Sequence, residues 1–280
     1  IELDIRYQTE AYEQVKNDFE SGNRSCVVFP TGCGKSYIAL KMIEDNPDKE
    51  ILFVSPASVI NVQIRGIIEQ TYGEDAKKVF PRLKLITYNV LSQMDTEEFE
   101  KLNPDMIVLD ELHRAGAPVW GKRANELLEK NNNAKVLGLT ATPVRTEGRN
   151  MAEEICGGIS YELPLTEAVA RGVLPVPEYI CAQYLFEEDI QRVENLVEQV
   201  EDEETKQEYR KKIQEARRHL EQADGIDKIL GKYIEKKNGK YIMFCKDIDD
   251  IDTKAGQVGK WFSQVNGQTT ISKISSANEE

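Results

Sequence analysis

Ser25-Cys-Val-Val-Phe-Pro-Thr-Gly-Cys-Gly-Lys-Ser36 sets an apolar run, then a glycine-bearing loop, then Lys35-Ser36 at the head of a helical pattern. Strand, loop and helix in that order aim consecutive backbone N–H groups and a helix N-terminus at one point, where polyphosphate charge can be neutralised. In such a loop Thr31, Gly32, Cys33 and Gly34 wrap the phosphates, Lys35 reaches the β- and γ-phosphates, and Ser36 ligates Mg²⁺. The full pattern wants a glycine five residues before Gly34, where this chain has Phe29, so the Gly-Lys-Ser half carries the match. Alone it also fits an ordinary loop ahead of a helix, and the residues downstream must decide. Cys33 reads as a small residue that lets the backbone curl, with its thiol expected to be shielded by bound nucleotide.

The 280 residues, 40% hydrophobic and 30% charged, suffice for one large core or two smaller ones. No apolar run approaches the roughly 20 residues of a membrane helix, and Ile1-Glu-Leu-Asp-Ile-Arg6 has no signal-peptide character. A cytoplasmic protein with no membrane partner is expected. Cysteines at 26, 33, 156, 181 and 245 form no C-x-x-C pair and no His-bearing metal spacing, which argues for reduced thiols rather than a zinc site or a disulfide framework. The net charge of −13 excludes a generally basic coat for phosphate binding but leaves room for a local groove. Between Glu187 and Asp224 acidic side chains clearly outnumber basic ones, so much of the acidity belongs to one solvated helical insert.

Along the chain, Tyr7, Ala11, Val15 and Phe19 repeat with a helical period of four until Gly22. A helix is expected from about Lys35 to Asp45, stopped by Asn46-Pro47, and a strand over Glu50 to Ser55. Ser58 is placed to cap the next helix. Leu83 to Thr87 reads as a strand, Val90 to Lys101 as a helix, and Met106 to Leu109 and Lys135 to Leu139 as two further strands. Continuous apolar strands alternating with helices imply a parallel sheet covered on both faces, hence an α/β fold.

Ligands of such sheets bind beyond the carboxyl ends of the strands. There the sequence places Asp110-Glu111-Leu112-His113 after one strand and Thr140-Ala141-Thr142-Pro143 after the next. An Asp ending a strand holds Mg²⁺, and an adjacent Glu can orient or deprotonate the water that attacks a γ-phosphate. Either residue alone could simply terminate a strand; with the phosphate loop present, the catalytic reading is the stronger.

In their order, Gly32-Cys-Gly-Lys-Ser36, Asp110-Glu-Leu-His113 and Thr140-Ala-Thr142 resemble motifs I, II and III of the superfamily 2 helicases and translocases. Arg6-Tyr7-Gln8 resembles the adenine-reading glutamine motif. Ser55-Pro56-Ala57 with Gln63 resembles motif Ia, and Ile86-Thr87-Tyr88 motif Ib. Asp110 through Ala117 and Thr140 through Arg145 look most like the group containing the motor subunits of type III restriction enzymes. The resemblance implies a RecA-like fold, ATP and Mg²⁺ as cofactors, and DNA in preference to RNA as partner. It assigns Arg6 and Gln8 to the base, Lys35, Asp110, Glu111 and His113 to catalysis, and Ser36 and Asp110 to the metal. Ser55, Pro56, Ala57 and Thr87 fall to the nucleic-acid backbone, and Thr140, Ala141 and Thr142, with His113, to coupling. Arg145 and Arg149 are expected to position nucleic acid or a domain interface.

Residues 1–180 thus read as a first RecA-like domain and 181–232 as a charged helical hairpin and linker. The hairpin carries Ile190, Val193, Val197 and Val200 on one stripe and Tyr209, Ile213, Ala216 and Leu220 on another; Glu201-Asp-Glu-Glu204 divides it, and His219 is expected at its surface. Lys240-Tyr-Ile-Met-Phe-Cys-Lys246 resembles the opening strand of a second RecA-like domain, so that 233–280 would be its incomplete start and the chain an N-terminal fragment with little turnover of its own. The family's arginine-bearing motif VI has no counterpart in the 280 residues. Two rival readings stand beside this one. An unrelated P-loop NTPase leaves Thr-Ala-Thr and Tyr-Gln unexplained, and an ATP-gated nucleic-acid-binding scaffold would bind without translocating.

Overall fold

The computed structural model describes residues 1–118, 120–145, 147–177, 187–222, 226–233, 241–244, 251, 255–256, 258–263 and 270–272. The chain divides into two compact units, Ile1–Glu178 and Tyr179–Glu280.

In the first unit the order is α1 (Gln8–Ser21), β1 (Arg24–Val28), α2 (Lys35–Glu44), β2 (Ile51–Ser55), α3 (Ser58–Tyr72), α4 (Ala76–Val79), β3 (Leu83–Thr87), α5 (Tyr88–Gln93), α6 (Thr96–Glu100), β4 (Met106–Asp110), α7 (Trp120–Lys130), β5 (Lys135–Thr140), β6 (Tyr161–Glu162) and α8 (Leu165–Ala170). All strands are parallel, in the order β3-β2-β4-β5-β1-β6. The expected parallel α/β sheet is present, with one short edge strand, β6, that no apolar run announced. Tyr161 and Glu162 pair with Val27 and Val28, and a two-residue strand is too short to carry a period.

The alternation of strand side chains explains why these segments are apolar throughout. Val27, Phe53, Val108, Leu137 and Leu139 point to one face, where they meet Ala11, Val15, Ile38, Leu40, Ile64 and Ile68 of α1, α2 and α3. Cys26, Val28, Leu52, Val54, Ile107, Leu109 and Val136 point to the other, against Leu91, Phe99, Ala124 and Leu127 of α5, α6 and α7.

Two local expectations are corrected. Ser58 is the first residue of α3 rather than its cap; Ala57 holds the cap position, with no side-chain bond to the helix end. The helix expected over 90–101 is two, because the Asp95 carboxylate accepts the Glu98 N–H and starts α6 afresh.

The second unit contains α9 (Glu187–Glu198), α10 (Glu203–Gln222) and α11 (Ile226–Tyr233). α9 and α10 are separated at Glu201-Asp202, with Arg217 Nε and Nη2 donating to Glu194 at 3.0 and 3.1 Å and Arg210 Nη2 to Glu198 at 2.6 Å. Only part of the stripe is covered: Ile190 and Val197 are buried, whereas Val193 is exposed. Two helices present one seam to each other, narrower than the full apolar stripe. Tyr241–Phe244, the described part of the expected strand over 240–246, forms no strand and is exposed, with Tyr241 against Phe262. A strand needs a hydrogen-bonded neighbour to persist, and no strand among the described residues pairs with it. The side chain of His219 lies outside the described residues.

Candidate active site

Sheet order does what sequence order does not: β4, β5 and β1 are neighbours, so the loops after them share one edge. Val28 pairs with Thr140, and Asp110 with Leu139. The phosphate loop, Asp110-Glu111 and Thr140-Ala141-Thr142 therefore converge.

Lys35 is buried, and its Nζ lies 3.7 Å from Glu111 Oε1. Glu111 Oε2 is 3.4 Å from His113 Nδ1, which is in turn 3.2 Å from Thr140 Oγ1. The Thr140 hydroxyl donates to the Thr142 carbonyl and accepts the Thr142 N–H, both at 3.1 Å. Because the threonine proton is used on Thr142, the imidazole must present its N–H at Nδ1, toward Thr140 and Glu111. His113 is held below its ordinary pKa by burial foremost, with Arg114, Arg145 and Lys35 acting in the same direction against Glu111, so the ring is neutral at pH 7. Glu111 itself has φ 50° and ψ 58°, the one non-glycine residue with positive φ among the described residues. A left-handed carboxylate residue persists where its surroundings fix it, and such strain gathers at functional sites.

Asp110 is 6% exposed. Burial first, and the adjacent Glu111 second, push its pKa up to about 6, against the pull of Lys35 and the Glu111 N–H. A buried carboxylate beside a half-buried one, facing a single lysine, favours a further cation. The donors on offer, the Asp110 carboxylate and the Ser36 hydroxyl, are hard oxygens, which suits Mg²⁺; that ion takes one or two protein oxygens and fills its shell with phosphate and water. No cluster of three metal-ligating side chains occurs among the described residues.

Gly34 begins α2 with φ 69°, and no side chain caps the helix, leaving its first N–H groups open to a phosphate. A Cβ at Gly34 would come within 2.7 Å of Gln8 Nε2. Gln8 is buried; its Nε2 donates to the Cys33 carbonyl at 3.1 Å, and its Oε1 accepts the Asp4 N–H at 2.9 Å. Tyr7, which its place in the helical period marks only as a core-facing residue, donates its hydroxyl to the same Cys33 carbonyl at 2.8 Å. Arg6 ion-pairs with Asp4 and donates to the Gly172 carbonyl at 2.8 Å.

Several roles expected from the sequence change in three dimensions. The Cys33 thiol is fully buried in the core, so protein, not nucleotide, shields it, and burial raises its pKa. Ser55 is buried with its hydroxyl donating to the Ile86 and Ala57 carbonyls, each at 3.2 Å. Thr87 is buried too, and its hydroxyl accepts the Val90 N–H at 3.1 Å as the cap of α5. The Ser55 proton is thus taken up by backbone carbonyls, whereas the Thr87 hydroxyl accepts from backbone as a helix cap. Pro56 and Ala57 are half-buried, while Ser58 and Asn89 are exposed beside them. Arg145 and Arg149 serve the Asp-Glu segment: Arg145 Nη1 donates to the His113 carbonyl at 2.7 Å and Arg149 Nη1 to the Gly116 carbonyl at 3.1 Å.

The sequence model of the family described as "Type III restriction enzyme, res subunit" matches residues 4–145, just over half of the chain. This chain belongs to that family. The match of this Res-family motor domain opens at Asp4, the partner of Arg6, and closes at Arg145, which holds His113. No curated protein matches the sequence. The fold resembles that of the ATP-dependent Type ISP restriction-modification enzyme LlaBIII bound to DNA, at 18% identity and TM-score 0.48 over 62% of this chain and 16% of that one. It also resembles a nuclease-deletion mutant of the Type ISP enzyme LlaGI in complex with a DNA substrate mimic, at 17% identity and TM-score 0.48 over 93% and 30% of the two chains. The Pyrococcus furiosus Hef helicase domain aligns at 20% identity and TM-score 0.44 over 68% and 45%. This Res-family chain thus spans less than a third of the two restriction enzymes. No described helix is long and apolar enough to cross a membrane.

Proposed function

We propose that the chain supplies the ATP-binding face of a nucleic-acid-dependent ATPase, a helicase or translocase that acts on DNA in preference to RNA. The observation that carries the reading is the continuous contact from Lys35 through Glu111 and His113 to Thr140, which joins three loops from three adjacent strands. Phosphates entering the loop meet the N–H groups opening α2 and the Lys35 ammonium, which then exchanges Glu111 for phosphate. Glu111, released from Lys35, orients the attacking water, and the neutral His113 ties its position to Thr140 and Thr142. Ser36 and Asp110 would hold Mg²⁺, which would supply positive charge to offset that of the phosphates. Gln8 and Arg6 border the base, and Pro56, Ala57 and the start of α3 offer backbone groups to nucleic acid.

In this reading residues 1–180 are the first RecA-like domain, 181–232 a helical hairpin and linker, and 233–280 the start of a second. The second domain is the partner that turnover requires, because an arginine finger is worth about 10³ to 10⁵ in rate, while Arg145 and Arg149 are occupied by carbonyls. The 280 residues by themselves should therefore bind Mg–ATP and hydrolyse it scarcely above background.

The test is a calorimetric titration of Mg–ATP into wild type and Lys35→Ala, with circular dichroism as the check on folding. Loss of binding by a folded variant is the expected result. Retained affinity would overturn the assignment of the loop. Nucleic-acid-stimulated phosphate release with a second RecA-like domain present separates a motor from an ATP-gated scaffold.

A further inference from the structure

The segment that leaves the first unit's sheet returns to the base end of the nucleotide site. Helix α8 ends in a Schellman turn: the Val173 N–H bonds to the Ala168 carbonyl at 2.9 Å and the Gly172 N–H to the Val169 carbonyl at 3.0 Å, with Gly172 at φ +66°. The left-handed glycine lets its own carbonyl face Arg6, whose Nη1 donates to it at 2.8 Å. Arg171 answers in the opposite direction. Its Nη1 donates to the Arg6 carbonyl and lies 3.3 Å from Glu10 Oε2, and its Nη2 donates to Glu167. The Tyr161 hydroxyl holds the same Glu10 oxygen at 2.7 Å. Two residues on, Leu174 Cδ2 lies 3.6 Å from where a Cβ on Gly32 would be. The ring closes through Tyr7 and Gln8, both bonded to the Cys33 carbonyl.

We propose that Arg171 is a positioning residue for base recognition, clasping Arg6 to the Arg171–Leu174 turn so that the base end of the site and the chain leaving it toward residue 178 move as one piece. The inference rests on the nucleotide reading above and adds to it a route by which an occupied base site is felt by the outgoing segment. Triphosphate contacts belong to the loop and α2, whereas Arg171 bonds Arg6, Glu10 and Glu167 and no residue of the loop. Loss of the clasp therefore separates base from phosphate binding. Its position also makes Arg rather than Lys necessary, because one guanidinium bonds a carbonyl and two carboxylates at once.

The experiment measures the affinity of wild type, Arg171→Ala, Arg171→Lys and Leu174→Ala for Mg–ATP and for Mg–tripolyphosphate by calorimetry. It also follows hydrogen exchange of the 168–174 peptide with each ligand. Arg171→Ala should bind ATP on the order of fivefold more weakly, the loss expected for one or two hydrogen bonds, and tripolyphosphate unchanged. Arg171→Lys should fall between the two. In wild type, ATP but not tripolyphosphate should slow exchange at Gly172 and Val173. Equal losses for both ligands, or equal protection by both, would reduce Arg171 to a structural role and overturn the proposal. Should Arg171→Ala fail to fold, Arg171→Lys and the wild-type exchange pattern decide by the same criteria. Absence of any nucleotide binding by wild type, with tripolyphosphate also silent, would overturn the nucleotide reading itself and the clasp's role with it.

Discussion

Asp110→Asn tests whether the site stores instability in its empty state that ligands relieve. The Asp110 carboxylate is 6% exposed, beside Glu111, and its pKa stands at about 6 against an ordinary 3.8. A raised acid pKa means that the folded chain holds the proton more tightly than the unfolded chain. Stability is therefore unaffected by this group below pH 3.8, falls as pH rises through the window to about 6, and bears the full cost above it. That cost is on the order of 3 kcal/mol, from about 1.4 kcal/mol for each tenfold change in proton affinity. Asparagine carries no charge and keeps an oxygen for the Glu111 N–H. In thermal melts with EDTA at pH 8, Asp110→Asn should unfold several degrees above wild type, since roughly 2–4 °C accompany each kcal/mol in a domain of this size. The gap should close as pH approaches 4. With Mg–ATP at a hundredfold excess over Kd the gap should also close, because wild type alone gains ligand stabilisation of about 2.7 kcal/mol. An asparagine variant no more stable than wild type at pH 8 without metal would show that burial of Asp110 carries no such cost.

Gly34→Ala should lose Mg–ATP affinity tenfold or more and destabilise the fold by about 1–3 kcal/mol, since φ 69° strains any side chain and the new Cβ evicts Gln8; unchanged calorimetry and urea midpoints would refute the close approach. Cys33 should resist alkylation both with and without ATP, as read by peptide mass mapping, and rapid labelling of the empty protein would contradict its burial. Arg145→Ala should raise the His113 pKa toward the ordinary 6.5, because Arg145 is one of the cations that depress it. Proton NMR can follow this with only two histidines in the chain; a titration curve identical to wild type would place Arg145 away from the ring.

Local pattern was enough for the phosphate loop, for three of the helices around the sheet, α1, α2 and α3, and for five strands, because apolar runs and glycines act within a few positions of themselves. Asp110, Glu111, His113, Thr140 and Thr142 were singled out for the same reason: each ends its strand or lies within three residues of the end, and parallel strands deliver their ends to one edge. What the chain order could not contain was which strands are neighbours. The placement of β5 between β4 and β1 is a long-range packing outcome, and it alone turns three separate motifs into the contact from Lys35 to Thr140. The partners of polar groups were likewise decided in three dimensions. Ser55 spends its hydroxyl on a carbonyl of the adjacent strand, Cys33 turns its thiol into the core, and Arg145 reaches His113 across 32 positions. A hydroxyl, thiol or guanidinium bonds whatever donor or acceptor the fold brings within about 3 Å, and sequence spacing carries no record of that distance.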